Sequence, residues 1–283
     1  MPTDKGRHGA RHTTADKRAA FRALHRTGCF VMPNPWDVGS ALALQSLGFA
    51  ALATTSAGMA WSMGRPDNQV ALEDVLAHLT LLAGGLDIPL NADFENGFAD
   101  APEHVAANVA RAVNTGVAGL SVEDSTGDPG APLYDFDLAV ARVAAARGAV
   151  DAIDPTVVLT ARTEGFICGR PDLPETLRRL AAFAEAGADC LYAPGLREPD
   201  QIAAAVSAVA PRPLNVLTPG LSVATIAALG VRRISVGGSL ARAAWGEFLR
   251  SAREIAAEGT FASIARGASG GELNRLFGDG AGA

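Results

Sequence analysis

Short, mostly apolar runs alternate along this chain with longer amphipathic stretches, and eight such runs stand out: Cys29 to Pro33, Ala51 to Thr55, Pro89 to Asp93, Gly119 to Glu123, Val157 to Arg162, Cys190 to Pro194, Leu214 to Leu217 and Arg233 to Val236. Runs this short without polar alternation match parallel strands buried on both faces. Between them lie segments with helical spacing, among them Pro102 to Thr115, Asp137 to Gly148, Leu173 to Ala186 and Pro199 to Val209. Several close on the same punctuation, Leu47-Gly48-Phe49, Thr115-Gly116-Val117, Ala186-Gly187-Ala188 and Leu229-Gly230-Val231. There a glycine stops a helix and an apolar residue turns the chain into the next strand. Strand and helix repeated in this way predict a parallel sheet. Eight units in about 250 residues predict a (β/α)8 TIM barrel rather than an open doubly wound sheet, and no glycine-rich dinucleotide fingerprint follows the first run.

A barrel carries its chemistry just beyond the C-terminal ends of its strands. Polar residues gather there: Asn34-Pro35-Trp36-Asp37, Thr54-Thr55-Ser56-Ala57-Gly58, Asn91-Ala92-Asp93, Glu123-Asp124, Arg162-Thr163-Glu164, Asn215, Thr218 and Gly237-Gly238-Ser239. The richest stretch is Ile88 to Gly97, which breaks from an apolar run into Asn91, Asp93 and Glu95. If the strand runs on to Glu95, strand alternation points all three the same way, so that three oxygen donors converge where a hard cation could sit. The same acids would equally serve to cap the following helix. Arg162 offers a fixed fork for a carboxylate or an oxyanion, or alternatively an ion-pair partner for Glu123 or Glu164.

Composition removes several alternatives. The only lysines are Lys5 and Lys17, both ahead of the first run, so no strand end supplies a Schiff-base amine. None of His8, His12, His25, His78 and His104 falls at a strand end, which argues against zinc and leaves Mg2+ or Mn2+ as the cation suited to Asn, Asp and Glu oxygens. Cys29, Cys168 and Cys190 form no C-x-x-C and imply no disulfide framework. A net charge of −6 argues against nucleic acid, and Gly, Asp, Arg or Pro interrupts every apolar stretch before the roughly 18 residues of a membrane span. Met1 to Lys17 is polar and basic without a signal-peptide core, so it reads as a flexible tail and the cytoplasm is the expected compartment. The expected organisation is a single barrel domain over residues 18–277, with a disordered end over 278–283. A small acidic metabolite is the expected partner.

At this point the residues resemble the isocitrate lyase and phosphoenolpyruvate mutase superfamily, over about residues 28 to 245. The family's D-A-D-x-G element resembles Asn91-Ala92-Asp93, and its loop Asp after a G-x-P resembles Asp67 in Gly64-Arg65-Pro66-Asp67. Its I-E-D resembles Val122-Glu123-Asp124, its A-R-T-[DE] resembles Ala161-Arg162-Thr163-Glu164, and its Ser-Gly carboxylate loop resembles Thr55-Ser56-Ala57-Gly58. The resemblance implies a Mg2+-dependent enzyme that works through an enolpyruvate-like intermediate. It also implies a C-terminal helix swapped between subunits of a homo-oligomer, a dimer or tetramer. On that reading Asp93, with Asn91, Asp67 and Glu123 through waters, holds the metal, while Thr55, Ser56 and Ala57 grip the carboxylate. Arg162 balances oxyanion charge and Asn215 reaches the distal portion of the substrate.

The chain departs from the family in two places. Asn91 stands where the first metal-site Asp is expected, with Glu95 as a one-residue insertion that restores the charge. The segment Ser125 to Tyr134 has neither the K-[KR]-C-G-H cysteine of the isocitrate and methylisocitrate lyases nor the lysine of the mutases and phosphonopyruvate hydrolases. Tyr134, Asp128 and Asp124 remain as candidate acids, and Cys168 reads as a small buried hydrophobe. Gly127, Pro129, Gly130 and Pro132 suit a mobile lid or a plain surface loop. Ser239 to Ala257 and Phe261 to Phe277 read as two C-terminal helices, with Trp245, Phe248 and Leu249 as interface residues. The expectation is a lyase that cleaves a carbon–carbon bond of a 2-oxo or 2-hydroxy carboxylic acid through an enolate. The alternatives are a carbon–phosphorus mutase or hydrolase, or a catalytically inactive metabolite-binding barrel.

Overall fold

All eight apolar runs form strands of one parallel sheet in the computed structural model, which describes residues 12–217 and 220–278. Lys5, His8, Thr218 and the expected disordered residues 279–283 lie outside the described residues. The strands are β1 Phe30–Met32, β2 Leu52–Ala53, β3 Leu90–Asp93, β4 Gly119–Glu123, β5 Val158–Arg162, β6 Cys190–Tyr192, β7 Leu214–Leu217 and β8 Arg233–Ser235. Their order, β1-β8-β7-β6-β5-β4-β3-β2, wraps the sheet around until β1 and β2 meet. At that seam Ala53 N donates to the Pro33 carbonyl (3.1 Å) and Asn34 Nδ2 to the Thr54 carbonyl (2.8 Å). Asn34 Oδ1 also accepts from Val236 N and Gly237 N (both 2.9 Å), so one buried amide ties the ends of β1, β2 and β8. The architecture is a (β/α)8 barrel.

The helices are α1 Thr14–Leu24, α2 Val38–Ser46, α3 Ser56–Ser62, α4 Leu72–Gly85, α5 Pro102–Asn114, α6 Phe136–Ile153, α7 Leu173–Glu185, α8 Pro199–Val209, α9 Val223–Ala228, α10 Ser239–Glu258 and α11 Gly270–Gly278. Their apolar stripes pack on the outside of the sheet around buried Val105, Val109, Val143, Leu180, Phe183 and Ile202. No helix among the described residues is long and apolar enough to cross a membrane.

Part of the tail expected through Lys17 is corrected: residues 13–17 belong to the start of α1, which Thr13 caps. The Thr13 hydroxyl accepts from Asp16 N (3.1 Å), and the Asp16 carboxylate accepts from Thr13 N (2.9 Å), a reciprocal arrangement that starts the helix. Lys17 Nζ then donates to the carbonyls of Ala83 (2.6 Å) and Leu86 (3.0 Å) at the end of α4. Arg18 donates to the carbonyls of Val113 (2.7 Å) and Val117 (3.1 Å) near the end of α5, and to Asp154 (2.6 Å). Cations at the carbonyl ends of helices are favourably placed. They seat the fully buried Phe21 against Ala51, Ala53, Ala118, Val158 and Cys190, where it plugs the barrel floor. A Cβ on Gly119 would lie 2.6 Å from Phe21 Cε1 and 2.9 Å from the Val158 carbonyl, so only glycine fits there.

At the other end of the chain, α10 buries only Ala241 and leaves Phe248, Leu249 and Ile255 exposed. The helix expected from Phe261 to Phe277 forms only in its second half. The Glu254 carboxylate accepts from Thr260 Oγ1 (2.7 Å), Ala262 N (2.6 Å) and Ser263 N (2.9 Å), which folds that segment back onto α10. Gly278, placed by the sequence reading in a disordered end, closes α11, which packs on α2 of the same chain. Phe21→Ala should cost about 3–5 kcal/mol of stability in urea unfolding, because the floor cannot collapse around the missing ring. An unchanged unfolding midpoint would show that α1 is not part of the folding unit.

Candidate active site

The chemistry gathers where β3, β4 and β5 end side by side, with Asp93 opposite Ser121 and Glu123 opposite Arg162 in the ladders. β3 does not run straight on to Glu95 as expected. It ends at Asp93, and Glu95 takes a left-handed backbone conformation (φ 45°), which costs a non-glycine residue on the order of 1 kcal/mol or more. The bend is held from two sides. Glu123 N donates to the Glu95 carbonyl (2.9 Å), and Arg142 of α6, 1% exposed, donates to the carbonyls of Asn96, Ala99 (2.5 Å) and Asp100 (2.6 Å).

This turn re-aims Glu95 so that its carboxyl joins Asp93 and Asp67. Asn91 does not join them. Two residues back along β3 it lies roughly 6–7 Å deeper, in the barrel's interior layer. Its Nδ2 donates to the Ala92 carbonyl (3.1 Å) and its Oδ1 is buried without a partner. The spacing D-x-[DE]-x-G therefore falls on Asp93-Phe94-Glu95-Asn96-Gly97, with no insertion and with Glu95 as the second acid.

Asp93, Glu123 and Glu164 share the guanidinium of Arg162, whose charge also reaches Asp67 and Glu95. That group pairs most closely with Glu164 and reaches Asp93 and Glu123 at 3.4 Å each, so the expected ion-pair alternative is present. It also lies over the Tyr192 ring, 5.1 Å from the centroid. One cation cannot satisfy these acids. Burial first, then Asp93 and Asp67, push the Glu95 carboxyl up to about 8. Burial pushes Glu123 well above the ordinary glutamate range, Arg162 works against that, and Glu164, Asp93 and Glu95 add to it. Burial opposes the charge on Arg162, but Glu164, Glu123 and Asp93 outweigh it and keep the guanidinium protonated.

α3 starts at this cluster. Ser56 N donates to Asp93 Oδ2 (3.1 Å) and the Ser56 side chain hydrogen-bonds to Asp67, while Thr55 Oγ1 accepts from Gly58 N (3.3 Å) and caps the helix. Asp67 keeps a solvent-facing side, yet enclosure by protein raises its carboxyl, with the Ser56 bond lowering it and Asp93 raising it again. Ala57 lies half-buried on the first turn beside Gly238. Thr55, Ser56 and Ala57 thus border the acids as expected.

Three expected residues are corrected. Asp124 faces away, its carboxylate accepting from Thr163 Oγ1 (2.8 Å), Glu164 N (2.8 Å) and Arg179 (3.1 Å), which clamps β4, β5 and α7 together. The Tyr134 hydroxyl donates to Asp100 and accepts from Asn96 Nδ2 (3.2 Å), and Arg142 stacks 3.9 Å over its ring. Burial raises that hydroxyl to about 12, so Tyr134 buttresses the 96–100 loop and has no free proton to offer. Asn215 is committed on both sides of its amide, donating to Ser235 Oγ (3.0 Å) and accepting from Arg233 Nε (2.9 Å) inside the barrel. Of the other candidates, Asp128 accepts from Gly130 N (2.8 Å) within an exposed hairpin, where Thr126 N also donates to the Pro132 carbonyl (3.0 Å). The segment expected to be a mobile lid or a plain surface loop thus forms an exposed, hydrogen-bonded turn. Cys168 is half-buried near Ser125.

The sequence reading missed Tyr192, hidden inside an apolar run, and weighed Glu164 only as an ion-pair partner. It also missed Arg142, whose signal is an arginine on the apolar stripe of α6 with Ala139, Val143 and Ala146. Among the described residues no three acids form a direct three-ligand cage. That fits a hard cation which takes one or two carboxylates directly and the rest through water, and the buried negative charge in excess of Arg162 is what such an ion would neutralise. Beside the acids a cavity of about 480 Å³ opens between the 68–72, 95–100 and 123–127 segments.

A family profile described as phosphoenolpyruvate phosphomutase matches residues 21–256. A crystal structure of a lyase/mutase candidate from Burkholderia cenocepacia J2315 superposes with a TM-score of 0.91 at 47% identity, covering 94% of this chain and 97% of that one. A phosphonopyruvate hydrolase solved with oxalate and Mg2+ superposes at 0.82 with 28% identity, covering 95% and 96%. An oxaloacetate decarboxylase of Paraburkholderia xenovorans is 30% identical over 217 residues, 74% of this chain and 71% of that one.

Glu95 gives the site a pH signature. Its folded value, about 8, lies above the ordinary 4.5, so the folded state holds the extra proton. The stability this confers is complete below about 4.5 and is lost as pH rises through about 8. Without divalent cations the melting temperature should fall across that window, and Glu95→Gln should flatten the fall. A wild-type profile as flat as the variant's would show that Glu95 carries no such stress.

Proposed function

We propose, from the premise that this chain belongs to the phosphoenolpyruvate mutase and isocitrate lyase superfamily, that it is a Mg2+-dependent lyase. It cleaves a carbon–carbon bond of a 2-oxo or 2-hydroxy carboxylic acid through an enolate. The observation that carries this reading is the excess of buried carboxylates around one arginine at adjoining strand ends. Asp93 and Glu95, with Asp67 and Glu123, would hold the metal. Bound there, Mg2+ supplies Lewis-acid stabilisation of developing enolate charge.

The chain's own groups do the remaining work. Ser56 N is already given to Asp93 and its hydroxyl to Asp67, so the amide of Ala57 on the first turn of α3 is left to grip the substrate carboxylate. Arg162, held charged by Glu164 and Glu123, balances the oxyanion. The 125–134 hairpin closes over the site, and its lack of a lysine favours carbon–carbon over carbon–phosphorus chemistry. The oxaloacetate decarboxylase relative supports the same choice. The inactive-barrel reading rested on Asn91 and on the substitutions in the 125–134 segment, and it loses the first support because Asn91 lies below the acids. The exposed Phe248, Leu249 and Ile255 on α10 support a homo-oligomer with that helix docked on a neighbouring copy.

A metal route dies with chelation, whereas an imine route is trapped by borohydride. Lys17 is engaged at the barrel floor, far from the strand ends that carry the acids. EDTA should abolish turnover of 2-oxo and 2-hydroxy acids, Mg2+ or Mn2+ should restore it, and borohydride with substrate should leave no adduct. Asp93→Ala should cost about 3 kcal/mol or more in kcat/KM, and Arg162→Lys should lose most of the activity because an ammonium cannot reproduce the fork. Full turnover in chelator would remove the metal-enolate reading.

A further inference from the structure

The cavity beside the acids has a charge pattern that bears on what the substrate carries at its far end. Glu95, Asp100 and Glu123 supply its acidic walls and Asn68, Asn96, Ser125 and Thr126 its neutral polar ones. Among the described residues no Lys, Arg or His lines it. The Glu95 carboxyl, 8% exposed, accepts no hydrogen bond from any described residue.

The nearest cations are already committed. Arg142 spends its guanidinium on the carbonyls of Asn96, Ala99 and Asp100 behind the wall, and Arg65 pairs with Asp74 at 3.2 Å. Arg162 is divided among Glu164, Asp93 and Glu123. With a divalent ion bound, the positive charges of ion and arginine still number fewer than the carboxylates that face them. A second substrate carboxylate placed here would be desolvated against acids that outnumber the cations, with the Arg142 charge behind the wall already facing Asp100 and Glu123, which is how a site rejects a competitor. A donor group would find waiting acceptors. The volume, about 480 Å³, is within the range of small-molecule pockets and admits a chain of several atoms.

We propose that this cavity receives the distal part of the substrate and selects against a second carboxylate there. The substrate is then a 2-oxo or 2-hydroxy monoacid that ends in a hydrogen-bond donor, a hydroxyl, amide or ammonium. This rests on the metal-dependent lyase reading, so the test carries a control for it. Oxalate fills only the metal and carboxylate positions, and N-substituted oxamates carry the same head with a variable far end. Calorimetric titrations with Mg2+ should show oxalate binding, and should show N-(3-hydroxypropyl)oxamate and N-(3-aminopropyl)oxamate binding at least tenfold more tightly than N-(2-carboxyethyl)oxamate. Ala71→Lys, at an exposed position on the cavity wall outside the catalytic groups, should shrink that gap several-fold by supplying the missing cation. Failure of oxalate to bind overturns the lyase reading and this inference together. Oxalate binding with the carboxylate probe equal or tighter overturns this inference alone, as does an unchanged gap in Ala71→Lys.

Discussion

Arg162 is buried among more carboxylates than it can neutralise, and the surrounding elements are arranged to keep that imbalance in place. Removing charges from water is unfavourable unless partners replace the solvent, and here replacement is incomplete. β4 and β5 hold Glu123 and Arg162 in register, α3 presents Ser56 N to Asp93, and Arg142 braces the bend that brings in Glu95. Each support lies outside the acids. The cluster is therefore imposed by the barrel rather than formed by mutual attraction, and it stays strained until protons or a cation balance it.

Below that cluster the interior is polar in a different way. Arg233, 1% exposed, sits in the barrel with no carboxylate beside it among the described residues: its donors go to Asn215 Oδ1 (2.9 Å) and Thr160 Oγ1 (3.0 Å), and it meets His25 Nε2 at 3.3 Å. Burial first, then Arg233, lower His25 to about 3, so the imidazole is neutral and can accept from the guanidinium. Neutral oxygens and one ring nitrogen thus surround a permanent positive charge. The negative upper layer and this lower layer are of opposite sign, with Asp93 and Arg162 at the boundary.

Strand positions were legible in the sequence because a run of apolar residues leaves one solution in a closed sheet, and with the strands came Asp93, Glu123 and Arg162 at their ends. Beyond the strand ends Asp67, Thr55 and Ser56 were legible only by resemblance, and the directions taken by several other side chains were not. Glu95 depends on a left-handed turn, which no alternation rule foresees in a non-glycine residue. Asp124 and Tyr134 sit in plausible places by spacing, but their partners Arg179 and Asp100 come from 55 and 34 residues away. Asn215 was on the right face and one layer too low. At the N-terminus, basic residues that look solvated are satisfied by helix-end carbonyls, a partner that sequence composition does not display.

The floor plug has a consequence for how the molecule is made. α1 is the first described element to leave the ribosome, yet Lys17 waits for Ala83 and Leu86, and Arg18 for Val113, Val117 and finally Asp154, 136 residues later. Until more than half of the chain has emerged, Phe21 has no pocket and the nascent strands no stopper. Domains generally begin folding from the end made first, whereas here the first piece is among the last to be seated. The burial of Phe21 therefore depends on residues as distant along the chain as Val158 and Cys190.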